Sequence, residues 1–189
     1  MSTARIFAIL CWVWGGSEIL LQIVTRTSRS GGKVKDRGSL LVLLPAIYLA
    51  FLGSGWYGET HPQTMPGGKH MLTMVALVIL VAGLAIRWTA ILTLGASFST
   101  NVAIHATQTV CRKGPFRWVR HPSYTGAIIA FAALGIKEGN WISLAIVLVL
   151  PTAALLYRMH VEELALTEAF GAEYVEYSKG TKRLFPGIY

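Results

Sequence analysis

Three runs of apolar residues, each close to the length needed to cross a lipid bilayer, constrain this chain more than any other feature. They lie at about Ile6–Val24, Ser39–Trp56 and Met71–Leu94. A helix needs about 20 such residues to span the hydrocarbon core, where no water satisfies an exposed backbone amide or carbonyl. Two shorter runs follow, Ser123–Ile136 and Trp141–Tyr157, separated only by Lys137-Glu138-Gly139-Asn140. At helical rise they measure about 21 and 26 Å, so they read as a helical hairpin, tilted or partly re-entrant. Pro151 is expected to kink the second arm, because it lacks an amide donor and crowds the preceding turn. The predicted fold is therefore all-α and integral to the membrane, with five transmembrane helices and the last two forming the hairpin. Composition agrees. Of 189 residues 53% are hydrophobic and 14% charged, against about 25% charged in a soluble domain.

The net charge of +8 would point to nucleic acid in a soluble chain. In a membrane chain the placement of Lys and Arg matters more than their sum. The 25–38 connection carries five, the 95–122 connection four and the C-terminal part four, so thirteen of the 17 fall on one side of a five-span arrangement. The positive-inside rule then puts the N-terminus outside and the C-terminus in the cytosol. No nucleic-acid partner is expected. The bilayer is the expected partner, and nothing in the sequence sets an oligomeric state. The chain reads as a single membrane domain over 1–189, with three N-terminal spans in 1–94 and the residues carrying chemistry in 95–189. Cys11 and Cys111 lie in an apolar run and a basic stretch, and no disulfide is expected between them. The N-terminal run has no small-residue cleavage site after it and reads as a retained helix.

Past the fifth run, Leu166, Phe170, Tyr174 and Tyr177 recur at helical spacing while Glu162, Glu163, Glu168, Glu173 and Glu176 fill other faces. This pattern predicts a C-terminal amphipathic helix at or beyond the membrane interface.

The segment 114–126, GPFRWVRHPSYTG, concentrates charge between apolar runs. Pro122 stands where a helix should begin, at the position that tolerates proline. His121 would then cap it, and the start of that helix, with Arg117 and Arg120 nearby, favours an anion. The same arginines would also serve as snorkelling anchors at lipid headgroups. Arg158 and Glu162 are four apart and share a helical face. They form either an intrahelical ion pair, or a divided site in which Arg158 holds a substrate anion and Glu162 accepts hydrogen bonds from a ligand. Glu18 and Arg87 fall inside spans, where charge is costly. A buried structural pair is the expected reading, and a substrate pathway the alternative. Asn101, His105 and Gln108 offer too few ligands for a metal, and no metal site is expected.

Three blocks in order, GPFRWVRHPSYTG, RMHVEELAL and FGAEYVEYSKGTKRLFPGIY, resemble the isoprenylcysteine carboxyl methyltransferases and related membrane methyltransferases of phospholipids. The resemblance covers roughly residues 95–189. It implies an integral membrane enzyme that uses S-adenosylmethionine, bound on the cytosolic side, with a lipidic or prenylated acceptor. It further implies that His121, Pro122, Ser123 and Tyr124 line the cofactor pocket. Phe116 stands where the family usually has tyrosine, and Asn101 where glutamine is usual. Gln108, Thr109, Val110 and Cys111 match a cofactor box whose histidine is absent here. Arg158 is implied to contact substrate, Glu162 the cofactor, and Glu163 is the third member of that motif.

Methyl transfer needs a nucleophile in line with a sulfonium methyl, and orientation supplies much of the rate. A carboxylate acceptor is already ionised at neutral pH and needs no base. An amine acceptor must lose a proton, and Glu163 or His160 would serve. A phospholipid or amine N-methyltransferase is thus the nearest alternative. An NADPH-dependent sterol-type reductase is a further one, disfavoured by the paired glutamates. A non-catalytic scaffold or small transporter would bind no cofactor.

Overall fold

The computed structural model describes residues 2–27, 33–34, 38–98, 103–104 and 109–189. Its helices are α1 (Thr3–Thr27), α2 (Ser39–Thr60), α3 (Lys69–Leu94), α4 (Pro122–Glu138), α5 (Trp141–Phe170) and α6 (Ala172–Gly180). Apart from a two-residue antiparallel pairing of Lys33–Val34 with Ala103–Ile104, the described residues contain no strand. Four helices, α1, α2, α3 and α5, are long and apolar enough to cross a membrane. Large apolar side chains such as Trp12, Leu41 and Val78 remain exposed, as a lipid-facing surface requires. The chain is a multi-pass membrane protein.

The expected hairpin is present. Gly139, at φ +73°, ends α4, and the Asn140 side chain accepts from the Ile142 amide at 2.9 Å to start α5. The turn is tied down from outside: the amides of Thr64 and Met65 both donate to the Gly139 carbonyl, and Asn140 Nδ2 donates to the Pro62 carbonyl. At 17 residues α4 reaches about 26 Å, short of a full hydrocarbon core. Pro151 lies inside α5, which continues through it.

The C-terminal amphipathic helix differs from its expected form. Leu166 and Phe170 belong to the end of α5, and Tyr174 and Tyr177 to the separate α6. Gly171 divides them at φ +53°, a backbone conformation that side-chain-bearing residues rarely adopt. Both tyrosines are buried, so this face of α6 packs onto the protein.

Packing sorts the helices into two tight pairs and one loose member. α3 runs along α4 and α2 along α5, while α1 is held loosely, its backbone nearest α3 and its Phe7 and Trp14 side chains reaching α4. The α3–α4 crossing is backbone against backbone. A Cβ built on Gly126 would lie 2.5 Å from the Gly83 carbonyl oxygen and 2.6 Å from the Arg87 amide nitrogen. Small residues permit this approach where lipid gives helices no hydrophobic reason to associate. Gly126→Ala should therefore destabilise by about 1–3 kcal/mol through overpacking, read as a lower midpoint of thermal unfolding in detergent. Gly15→Ala is the control, since its Cβ would meet nothing within 4 Å.

Candidate functional site

The start of α4 is fixed from the far end of the chain. Val119 forms a parallel bridge with Lys182. The Arg120 amide donates to the Lys182 carbonyl at 2.7 Å and the His121 amide to the Arg183 carbonyl at 3.0 Å. Thr125 Oγ1 donates to the Leu184 carbonyl at 2.7 Å. Pro122 occupies the first helical position, fully buried. Backbone donors expected to await an anion here are in good part committed: those of Arg120 and His121 to the tail, those of Tyr124 and Thr125 to the His121 carbonyl.

The two glutamates, adjacent in sequence, have opposite surroundings. Glu163 accepts from Arg120 Nε at 2.9 Å and from Arg183 Nη2 at 2.7 Å, and His121 Nε2 lies 3.2 Å away. Arg183 also donates to the Tyr189 hydroxyl, and its attachment to Glu163 and Tyr189 raises its already high pKa further. Glu163 is thus the anion at the centre of three basic side chains. Glu162 instead accepts from the Tyr124 hydroxyl through Oε2 at 2.9 Å, while its Oε1 carries no hydrogen bond among the described residues. The Tyr124 oxygen in turn accepts from Arg158 Nε at 3.0 Å, so one hydroxyl stands between the two charges. Arg158 is 4% exposed, and its Nη1 donates to Ser39 Oγ on α2 at 2.7 Å. His121 stacks on Tyr124 with ring centroids 5.5 Å apart.

These groups border a cavity of about 1110 Å³. Thr109, Val110, Cys111, Phe116, His121, Pro122, Ser123, Tyr124, Arg158 and Glu162 all line it. Glu163 and His160 do not: Glu163 is held in its basic cluster, and His160 is on the exposed face of α5. Asn101 and Gln108 lie outside the described residues. The cavity continues away from the charged end along apolar side chains of α1 and α2, among them Phe7, Leu43, Ile47 and Phe51. Glu18 and Arg87 also line it. Arg87 Nε and Nη2 fork onto the two Glu18 oxygens at 2.5 Å each, and Trp14 Nε1 adds a bond to Glu18 at 2.9 Å. The expected structural pair is therefore present, and it also borders the cavity. Arg87 Nη1 donates to Ser123 Oγ at 2.8 Å, which joins this pair to the first turn of α4.

Several contributors escape a reading of the sequence. Ser39, Thr125 and Arg183 act across separations of 119, 59 and 20 residues, and no local pattern signals such pairings. Tyr174 and Tyr177 register in the sequence only as an apolar stripe. In the fold they line the cavity, and the Tyr177 hydroxyl donates to the Phe116 carbonyl at 2.6 Å. Burial pushes the Tyr177 phenol up to about 12, so it remains a donor across the physiological range.

The family described as isoprenylcysteine carboxyl methyltransferase (ICMT) matches residues 74–168. Protein-S-isoprenylcysteine O-methyltransferase A of Arabidopsis thaliana is 30% identical over 114 residues, covering 59% of this chain and 58% of that protein. The human protein-S-isoprenylcysteine O-methyltransferase is 30% identical over 129 residues, covering 62% of this chain and 42% of its own. In both cases the matched stretch is less than two thirds of the relative's length. A solved structure of a eukaryotic intramembrane Ras methyltransferase superposes with a TM-score of 0.54 at 21% identity, covering 79% of this chain and 52% of that one. At that identity the likeness is one of fold.

Proposed function

Because the chain belongs to the isoprenylcysteine carboxyl methyltransferase family, we propose that it transfers a methyl group from S-adenosylmethionine to the carboxylate of a lipidic or prenylated acceptor. The observation that carries this reading is one cavity with a charged end, bordered by His121, Tyr124, Arg158 and Glu162, and an apolar continuation between α1 and α2. A polar donor and a greasy acceptor need such a divided chamber. Five spans, an outside N-terminus and a cytosolic charged end complete the proposal, with α4 as the short span added to the four long ones and residues 95–189 as the catalytic part.

The residues at the charged end suit the donor. Glu162 keeps an oxygen without a partner among the described residues, able to accept from a hydroxylated or cationic ligand. Phe116 offers an aromatic face in the position of the family's usual tyrosine. When bound, S-adenosylmethionine supplies an electrophilic methyl on a positively charged sulfur. The protein's contribution is orientation and exclusion of water. Arg158 is immobilised by Ser39 and Tyr124, so it presents a fixed cation to an incoming carboxylate. Tyr124 locks Arg158 to Glu162, which couples the acceptor's place to the donor's. Glu163 is proposed as a positioning residue, through its hold on Arg120, His121 and Arg183. Neither Glu163 nor His160, the bases expected for an amine acceptor, borders the cavity.

Equilibrium binding to the purified chain tests the donor assignment. Saturable binding of S-adenosylmethionine is expected, weakened about 10- to 100-fold in Glu162→Ala by loss of hydrogen bonds to a charged acceptor. Binding of NADPH in its place would put the protein among the reductases. The product decides the acceptor: a methyl ester hydrolyses readily in base and a methylamine does not.

A further inference from the structure

Tyr174, on the first turns of α6, has a hydroxyl that the fold leaves alone. Its side chain is 4% exposed and borders the cavity. Its hydroxyl oxygen is buried with no hydrogen-bond partner among the described residues. The other two tyrosines at this end are satisfied, Tyr124 by Glu162 and Arg158, Tyr177 by the Phe116 carbonyl. Buried polar groups in native proteins are nearly always paired, so an orphan on a residue that lines the cavity calls for a partner that the described residues do not supply. Phenylalanine would fill the same space without the desolvation of a hydroxyl. Burial, then the nearby Glu163 and Glu162 carboxylates, raise the Tyr174 phenol well above its ordinary value, so it keeps its proton and offers an O–H donor.

The company it keeps narrows the ligand. Its ring lies 5.9 Å from that of Tyr177, which is bonded to Phe116. Glu162, with its unpartnered oxygen, borders the same cavity. Aromatic faces beside a carboxylate that accepts from hydroxyls make up the chemistry that recognises a purine nucleoside, with its flat ring and its ribose diol. We propose that the Tyr174 hydroxyl donates a hydrogen bond to the adenosine part of the methyl donor, an assignment that rests on the donor reading above.

Tyr174→Phe removes the hydroxyl and nothing else. In the full purified chain, affinities for S-adenosylhomocysteine and for 5′-methylthioadenosine, which lacks the amino-acid end, should both fall by the same factor, about 3- to 10-fold. The unfolding midpoint of the ligand-free protein should stay level or rise, because the variant deletes an unpaired buried polar group. Unchanged affinities in the variant, with wild type binding both ligands, would overturn the role of Tyr174 and leave the donor reading standing. A loss for S-adenosylhomocysteine without one for 5′-methylthioadenosine would place the contact at the amino-acid end and overturn the proposal. So would a lower ligand-free midpoint, which marks a structural tyrosine. Wild type that binds neither nucleoside would end the donor reading and this inference with it.

Discussion

Arg158→Ala is expected to lower methyl transfer to a prenylcysteine carboxylate on the order of 10²-fold or more, the scale set by losing the orientation of a reacting group. The physical ground is how thoroughly the guanidinium is held. It is almost fully buried and bonded to Tyr124 and to Ser39 from a different helix. Arg158→Lys should rescue little, because an ammonium is a point charge without a planar fork. The loss should appear in kcat/KM for the acceptor, with donor affinity falling less, since the donor feels Arg158 only through Tyr124. Transfer within threefold of wild type in Arg158→Ala would remove the carboxylate-holding role.

The second large effect belongs to Glu163, and it should fall on the fold instead of on ligand contact. Glu163→Gln keeps the shape but leaves Arg120, Arg183 and His121 gathered around a neutral amide. Breaking a largely buried pair by neutralising one partner costs about 3–5 kcal/mol. The expected readouts are a much lower unfolding midpoint and faster proteolysis in 181–189, whose carbonyls anchor Arg120, His121 and Thr125. Removing one of the stranded cations, as in Glu163→Gln with Arg183→Gln, should recover part of the loss. Glu162→Ala is the contrast, expected to weaken the donor and leave the midpoint nearly unchanged. If the two glutamate variants behaved alike, the division of labour between neighbours would be wrong.

How much of this was open to the unaided sequence depends on the range of the interactions. The long helices were legible because each carries its own apolar signal, and the Gly139–Asn140 turn because its residues are turn formers. The break at Gly171 was also signalled, by a glycine inside a helical pattern, but the aromatic spacing across it was regular enough to mask it. His121 to Tyr124, Arg158 and Glu162 were legible as short motifs. Their surroundings were not. That Glu163 turns from the cavity while Glu162 faces it follows from a 100° step around one helix combined with where Arg183 arrives, and the second fact lies in the tail. Tyr174 shows the same limit: periodicity marks it as an apolar-face residue and says nothing about whether its hydroxyl has company.

The glycine crossing of α3 and α4 has a mechanical consequence for anything with a long hydrocarbon tail. With two backbones in direct contact, that side of the chamber is stiff, and a guest cannot part it without breaking main-chain packing. α1 meets the bundle over a small area, through Phe7 and Trp14 packed on α3 and α4 and through the Glu18–Arg87 pair. If a wide guest enters the cavity, the loosely held first helix is expected to yield before the α3–α4 crossing does, leaving Tyr124 and Arg158 in place.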